Sequence, residues 1–371
     1  MSKTEDKIKK DKVQQYKCPN CDGAVEFDST IQQLKCPYCD SEFDVESLKE
    51  LGDISNTEER EPVWDTYDEN SGNGDWSEEE KAKVCHYICQ SCAGEIITDA
   101  TTVARHCPYC GNPVIIASEL EGALRPDLVI PFKLDKEAAK ESLYGFLKGK
   151  KLLPKCFKDE NHIEEISGIY VPYWLYNCAA DGKAVFSAKK VKHWSDARFN
   201  YTKTDHYALH REGSLEFAKV PADGSQKMDD TLMDSLEPYD YSAAVDFNTA
   251  YLSGYFADKY DVTSEDNLGR VNTRISQSMI DQLRSTIHNY DSCQVSHKDI
   301  SIKNGKIEYA LLPMWLLKTK YNGEDYTFAM NGQTGKFVGE LPIDRGLVIK
   351  YFMGVFASCA TIGTILAMVL M

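Results

Sequence analysis

Eight of the thirteen cysteines are arranged in four Cys-x-x-Cys pairs, a spacing typical of metal-binding segments. Zinc prefers a tetrahedron of soft ligands, and each pair can place two thiolates on one ion. Two consecutive pairs therefore predict one four-cysteine zinc site, and the four pairs predict two. The first cysteine quartet is Cys18, Cys21, Cys36 and Cys39, and the second cysteine quartet is Cys89, Cys92, Cys107 and Cys110.

The two quartets belong to a duplicated segment. All four cysteines recur after 71 positions, and 14 residues separate the two pairs in both copies. This spacing leaves room for a short hairpin, which we expect to pair residues 24–27 with 33–35 in the first copy. Gly23, Gly94 and Gly111 follow a pair closely, where the backbone must turn sharply. This arrangement is typical of a zinc ribbon.

Disulfide bonds or free thiols are the alternative interpretation of these cysteines. The first twelve residues are charged throughout and contain no apolar stretch of a signal peptide, so we expect a reducing compartment, in which metal binding is favoured. Four protein ligands fill the coordination shell of zinc and leave no position for water or substrate. We therefore expect both ions to be structural rather than catalytic.

The remaining histidines and cysteines are weaker candidates. Cys85, His86 and His106 lie near the second quartet in sequence, but its cysteines are better spaced to bind metal. His206 and His210 have the spacing of a catalytic metal pair, yet the surrounding sequence predicts a strand and the glutamate of an HExxH motif is missing. Three single cysteines are expected to be inert thiols, namely Cys156, Cys178 and Cys293.

Sequence motifs of common enzymes are also missing. The chain contains no GxxxxGK[ST] phosphate loop, no GxSxG nucleophile motif and no Rossmann glycine pattern. We therefore expect a protein that is not an enzyme.

The sequence around the quartets predicts an α+β fold. It consists of two small β zinc ribbons, a mainly antiparallel α+β domain and one C-terminal transmembrane helix. The expected segments are a flexible charged tail (1–14), the first ribbon (15–48), an acidic linker (49–83), the second ribbon (84–118), the α+β domain (124–343) and the transmembrane helix (347–371).

The linker is rich in Asp, Glu, Asn and Gly, which predicts a flexible and extended segment. Trp64 and Trp76 are its apolar exceptions, and we expect both side chains to be exposed or only transiently docked.

Periodicity predicts the elements of the α+β domain. Asp135 caps a helix that runs to about Lys148, after a strand over 127–134. A second helix spans about 265–288, because apolar residues there recur every three or four positions. Strands are expected over 168–193, 199–220 and 294–340, with turns at 181–182, 322–323 and 331–332. Two similar Pro-x-Trp-Leu segments, 172–175 and 313–316, are interpreted as edge strands that begin with a core tryptophan.

The last 21 residues, 351–371, carry no charge. A helix of this length spans about 31 Å, against a hydrocarbon core of about 30 Å, so we expect a single transmembrane helix with no folded domain beyond it. Arg345 and Lys350 precede this stretch. By the positive-inside rule they place the bulk of the chain in the cytoplasm, which makes it a tail-anchored, single-pass protein of the cell membrane.

The formal net charge of −16 argues against nucleic acid as the main partner. Proteins that bind nucleic acid gain most of their affinity by neutralising phosphates with Lys and Arg, and neither ribbon contains a large basic cluster. Nucleic-acid binding through the ribbons remains the alternative function.

The chain resembles the YdjG-like family of bacterial membrane proteins with tandem TFIIB-type zinc ribbons. The resemblance covers nearly the whole length and is carried by the two quartets and by the segments 130–132, 170–175 (YVPYWL) and 331–336 (NGQTGK). Some members of this family are labelled as replication-restart helicases, but this chain lacks the phosphate loop that a helicase needs.

The resemblance implies a membrane-anchored adaptor that works in the envelope-stress response. It also implies two protein partners, a phage-shock-protein-A homologue and an SPFH-domain protein. We therefore expect a scaffold that recruits proteins at the cytoplasmic face of the membrane.

Overall fold

The computed structural model describes residues 17–46, 48, 62–67, 75–116, 123–154, 157, 166–321 and 324–370. Over these residues the fold is α+β, and the strands are gathered into two sheets. The predicted charged tail, Cys156 and the turn at 322–323 lie outside the described residues.

The first sheet belongs to the first ribbon. Its strands are β1 (Glu26–Asp28), β2 (Gln33–Lys35) and β3 (Glu42–Phe43), and they are antiparallel. Phe27 pairs with Leu34 across β1 and β2. The hairpin predicted between the two cysteine pairs is therefore confirmed.

The second sheet has eleven strands. They are β4 (Val84–Cys89), β5 (Glu95–Asp99), β6 (Val114–Ile116), β7 (Leu128–Val129), β8 (Ser167–Ser195), β9 (Asn200–Asp223), β10 (Val245–Asp246), β11 (Phe256–Asp258), β12 (Ser292–Tyr321), β13 (Glu324–Asn331) and β14 (Phe337–Gly339). The main order is β10-β7-β12-β8-β11-β5-β4-β6, while β13 joins β12 to β14 and β9 pairs with β8. The sheet is mixed, because the pairs β7–β12 and β8–β11 are parallel.

The described helices include two that periodicity predicted. The Asp135 side chain accepts a hydrogen bond from the Ala138 amide at 2.9 Å and so caps the first of them. The second buries Ile275 and Met279 on its apolar side. Among the elements that the structure describes from end to end, the α-helices are Glu78–Lys81, Lys136–Leu147, Asp230–Leu236, Leu268–Ser285 and Arg345–Leu370, and two short 3-10 helices span Tyr241–Ala243 and Thr249–Leu252.

The chain divides into two compact units. The first contains the described residues up to Trp64 together with Asn177–Ala218 and Asn272–Gly305. The second contains Asp65–Tyr176, Lys219–Val271 and the chain from Lys306 onward. An extended apolar core cluster lies in the second unit and includes Ile130, Val171, Leu312 and Met314. Trp174 of the same unit is 1% exposed.

The predicted hairpin turn at Asp181-Gly182 is wrong, because β8 runs through both residues without a break. The packing of the helix Leu268–Ser285 explains the glycine. A Cβ atom at Gly182 would lie 2.6 Å from Cγ of Met279, so the missing side chain lets this methionine pack against the strand.

The two Pro-x-Trp-Leu segments do supply core tryptophans, but they are not edge strands. Trp174 lies on β8 and Trp315 on β12, two strands that are neighbours inside the sheet order. The proline carbonyls there still accept hydrogen bonds, from Gly224 to Pro172 at 2.8 Å and from Gly332 to Pro313 at 2.9 Å.

The expectation of exposed tryptophans in the acidic linker is also wrong. Trp76 is 5% exposed and donates a hydrogen bond from Nε1 to the Ala123 carbonyl at 3.0 Å. Nearby in the chain, the Tyr67 hydroxyl donates to Oδ2 of Asp127 at 2.6 Å. In the other unit, Nε1 of Trp64 donates to Oδ1 of Asn272 at 2.9 Å. The described parts of the acidic segment are therefore packed by their aromatic residues.

The helix Arg345–Leu370 is long and apolar enough to span a membrane. Its stretch Arg345–Leu366 has a mean hydropathy of 1.5, and none of it is buried. The side chain of Asp344 caps the helix by accepting hydrogen bonds from the amides of Gly346 at 2.8 Å and Leu347 at 3.1 Å.

Candidate metal centres

Each predicted cysteine quartet converges on one point. Within each quartet, the four sulfur atoms all lie within 4.8 Å of one another. In the first quartet, the Sγ distances from Cys18 to Cys39 and from Cys21 to Cys36 are both 3.5 Å. The corresponding distances in the second quartet are 3.4 Å and 3.6 Å. The structure therefore brings together the residues that the spacing grouped.

These distances fit a tetrahedral metal thiolate site. A Zn–S bond of about 2.3 Å gives sulfur separations of about 3.8 Å around a regular tetrahedron. A disulfide requires about 2.05 Å, so none of these contacts is an S–S bond. Both quartets could hold a metal ion, and a set of four thiolates is chemically consistent with zinc.

A repeated backbone turn positions the sulfurs. In all four Cys-x-x-Cys pairs the residue four positions after the first cysteine has a positive φ and donates its amide to that cysteine's carbonyl at 2.8–2.9 Å. These residues are Asp22, Asp40, Ala93 and Gly111, with φ values of 60°, 56°, 54° and 72°.

The glycine prediction holds for Gly111 and not for Gly23 or Gly94, which are outside the positive-φ region. A Cβ at Gly23 would lie 2.6 Å from Cδ2 of Tyr38, so a side chain there would force the exposed tyrosine ring to shift.

A hydrogen bond between the two halves of each site escaped the sequence analysis. In the first ribbon, Nδ2 of Asn20 donates to Oγ of Ser41 at 2.8 Å. In the second, Nδ2 of Asn112 donates to Oγ of Ser91 at 2.9 Å. The asparagine is in the first half of the first ribbon but in the second half of the second ribbon, and the serine is at the other position in each case. The hydrogen bond is therefore the same in both copies although the two residue types have changed places. Aligning the copies at their 71-residue offset would have shown this exchange.

The last thiol of each quartet, Cys39 or Cys110, has a pKa below that of an ordinary cysteine. The Ser41 hydroxyl and amide lower the pKa of Cys39 to about 6. Burial opposes the ionisation of Cys110, but the Asn112 amide and neighbouring thiols lower its pKa to about 7. Burial raises the pKa of Cys18 to about 12. Near neutral pH Cys39 is therefore mostly a thiolate and Cys110 is about half ionised, and the thiolate is the form that binds metal.

The two ribbons differ in their surroundings. In the second ribbon, β5 pairs with β11, where Ala257 lies opposite Ile97 on one side and Tyr170 of β8 on the other. Its strands are thereby part of the eleven-stranded sheet. The three strands of the first ribbon form a sheet of their own.

The equivalent tyrosines show the same contrast. Tyr38 is 76% exposed, whereas Tyr109 is 3% exposed and lies in the core cluster of the second unit with Cys89 and Cys107. Other apolar side chains of the first ribbon are exposed as well, among them Phe27 and Val45. One motif thus serves as a core element in one copy and presents an apolar surface in the other.

A buried carboxyl group lies beside the second ribbon. Asp258 of β11 is 1% exposed and accepts a hydrogen bond from Oγ of Ser225 at 2.5 Å. Burial raises its pKa to about 7. Burial and the neighbouring Asp258 carboxyl also raise the pKa of the Tyr109 hydroxyl well above its usual value.

This carboxyl predicts a pH-dependent stability. The folded protein holds the Asp258 proton up to about pH 7, whereas the unfolded chain releases it near pH 4. The contribution of this carboxyl group to the free energy of unfolding is therefore fully present below about pH 4. It is lost as the pH rises to about 7, by up to about 1.4 kcal/mol per pH unit. We expect Asp258→Asn to remove this slope in melting temperatures of the detergent-solubilised full chain. Asp246→Asn, at an exposed position of β10, is the control and should leave the slope unchanged; equal slopes in both variants would contradict the assignment.

The candidate ligands near the second quartet have other contacts. Nε2 of His86 lies 3.0 Å from Oε2 of Glu95, which also binds Nζ of Lys259 at 2.9 Å. His106 is exposed and pairs through its backbone with Pro113. Neither these residues nor Cys85 belong to a cluster of metal ligands in the described part of the chain.

The pair His206 and His210 lies on β9, as the sequence predicted, and both residues are at least partly exposed. Over the described ranges no third histidine, cysteine or carboxylate joins them in a metal-binding group. Of the single cysteines, Cys178 is buried, and its burial raises the pKa of the thiol to about 11, while Cys293 is partly exposed.

Comparison with known proteins finds a relative in Bacillus subtilis (strain 168), described as "Uncharacterized protein YdjG". The two sequences are 38% identical over 241 residues, which cover 65% of this chain and 71% of the relative. No protein-family model matches the chain, and no solved structure matches it significantly.

Proposed function

The chain belongs to the family of the Bacillus subtilis protein YdjG, and on that premise we propose that it is a membrane-anchored zinc-ribbon adaptor. The helix Arg345–Leu370 inserts into the cell membrane, and the rest of the chain recruits protein partners at the cytoplasmic face, in the response to envelope stress. The protein is not an enzyme, and its two zinc ions are structural.

The contrast between the two ribbons is the observation that carries this proposal. Zinc with four protein ligands has no open coordination site, so a ribbon contributes through its surface rather than through chemistry at the metal. The second ribbon uses its surface within the chain, since Tyr109 is 3% exposed. The first ribbon leaves both Tyr38 (76%) and Phe27 (54%) exposed. Exposed apolar side chains gathered on a small folded module are typical of protein interaction sites.

The charge of the first ribbon argues against nucleic acid as the ligand. Its described part, residues 17–46, has seven carboxylates and two lysines. Lys17 pairs with Asp22 at 3.2 Å, and Lys35 lies 3.6 Å from Asp40 and 3.8 Å from Glu42. Both lysines are thus engaged by carboxylates, and the surface lacks the unpaired cations that phosphate binding needs.

Binding of purified partners tests the proposal. We expect the immobilised full-length protein in nanodiscs to retain a phage-shock-protein-A homologue or an SPFH-domain protein of the same organism. Phe27→Ser with Tyr38→Ser should weaken this binding at least about tenfold, because truncating a central aromatic anchor typically costs 2 kcal/mol or more. Both positions are exposed, so the variant should keep its two metal ions and its melting temperature.

Val103→Ser is the control, since Val103 is an exposed apolar residue of the second ribbon (69% exposed). It should bind like the wild type. Equal binding by all three proteins would remove the first ribbon from the interface, and binding of neither partner by the wild type would overturn the adaptor proposal for these partners. Saturable binding of DNA or RNA by the full chain, lost in the double variant, would instead establish the nucleic-acid alternative.

A further inference from the structure

A cleft lies at the base of the C-terminal helix. Its volume is about 420 Å³, and it is lined by residues 149–153 and 341–343. The Asp344 amide donates a hydrogen bond to the Leu152 carbonyl at 2.9 Å, which ties the first of these segments to the start of the helix. A cleft of this size is large enough for the polar part of a small organic ligand.

The cleft is basic in a chain whose net charge is −16. Lys150 and Lys151 line it and are both exposed, and among the residues that the structure describes none that lines the cleft is acidic. Nζ of Lys150 lies 5.6 Å from the ring centre of Phe146, and Nζ of Lys151 lies 6.0 Å from that of Tyr351 on the helix. These cation–π contacts hold both ammonium groups near the cleft and leave their charges available to an anion.

The remaining walls are apolar. Leu152 is 36% exposed and Ile343 62% exposed, while Leu153 and Pro342 are buried. A free inorganic anion gains nothing from such walls. A molecule with an anionic head and an apolar body would contact both the lysines and the apolar walls. The adjoining helix would bring the cleft to the surface of a bilayer, which consists of such molecules.

We infer that this cleft binds the headgroup of an acidic phospholipid, and that the ammonium groups of Lys150 and Lys151 pair with its phosphate. The inference rests on the proposed membrane anchoring by the helix. Arg345 and Lys350 belong to the first turns of the adjoining helix and add positive charge to this end of it. Bound lipid would hold the segments 149–153 and 341–343 at the headgroup level of the membrane.

Native mass spectrometry of the full-length protein released from nanodiscs tests this inference. In phosphatidylcholine nanodiscs that contain phosphatidylglycerol, we expect the chain to retain phosphatidylglycerol preferentially. Lys150→Gln with Lys151→Gln should weaken this retention about 30-fold, since each lysine near an anionic surface contributes about a factor of five. Lys150→Arg with Lys151→Arg should retain the lipid.

Lys189→Gln with Lys192→Gln removes the same charge from exposed positions of β8 and serves as the control, with retention unchanged. Equal retention by the Lys150→Gln/Lys151→Gln variant would overturn the site. Glycerol phosphate that displaces the lipid at comparable concentration would overturn the role of the apolar walls and leave a simple phosphate site. A wild-type chain that stays outside the nanodisc would overturn the anchoring proposal and this site with it, whereas a chain that inserts without lipid preference overturns the site alone.

Discussion

Cys107→Ser should unfold the second and larger of the two compact units, whereas Cys36→Ser should leave that unit folded. Each substitution removes one ligand that is at most 2% exposed, and each should reduce the metal content from two ions to one. The consequences differ because Cys107 lies in the core cluster of the second unit, while Cys36 belongs to a ribbon whose three strands form a separate sheet.

The expected magnitudes follow from the energy of structural zinc. Binding contributes about 10–16 kcal/mol in comparable zinc-finger peptides, which is as large as the whole stability of a typical domain, about 5–15 kcal/mol. Loss of the second ion would free β4, β5 and β6, and with them the pairing of β5 to β11. Loss of the first ion would free only β1, β2 and β3.

Two measurements on the detergent-solubilised full chain check this prediction. Elemental analysis gives the metal content, and intrinsic fluorescence reports the larger unit, because Trp174 and Trp315 are buried in it. We expect a large red shift at room temperature for Cys107→Ser and a wild-type spectrum for Cys36→Ser. Equal melting curves for the two variants would show that the second ribbon does not stabilise the core.

Ile362→Asp with Ile365→Asp should move the protein from the membrane to the soluble fraction. The helix Arg345–Leu370 has 26 residues and is about 39 Å long, enough to cross the hydrocarbon core with some tilt. An aspartate near the centre of a spanning helix costs about 2.5–3.5 kcal/mol, so the two substitutions together cost roughly 5–7 kcal/mol of insertion free energy. Both isoleucines are more than half exposed, so the change removes no internal packing.

Ile362→Leu with Ile365→Leu is the matched control, because it keeps the apolar surface of the helix. Extraction of membranes with alkaline carbonate should leave the wild type and the control in the pellet and release the aspartate variant. Protease protection of vesicles then tests the proposed orientation, in which the bulk of the chain is cytoplasmic. If the wild type is itself released by carbonate, the helix is no membrane anchor.

Local sequence determined the parts of this protein whose geometry is set within a few residues. A Cys-x-x-Cys pair with its turn closes over five or six residues, so its ability to place two sulfurs together is evident from spacing alone. The helix that Asp135 caps, the apolar side of Leu268–Ser285 and the uncharged stretch that follows Lys350 in the C-terminal helix are likewise local patterns. Their hydrogen bonds join residues four apart, which explains why each was predicted close to its observed position.

Only the tertiary structure decided how each copy of the motif is used. The two ribbons share cysteines, spacing and a tyrosine, yet one packs into the core because β5 pairs with β11, about 160 positions further along the chain. The burial of Tyr67 and Trp76 and the straight course of β8 through Gly182 depend on similarly distant partners, Asp127, Ala123 and Met279. Strand pairing and side-chain packing join residues of any separation, so they leave no periodic or short-range pattern in the sequence. The same local motif can therefore be buried in the core or exposed on the surface. The strands and side chains that it contacts in the folded chain determine which of the two occurs.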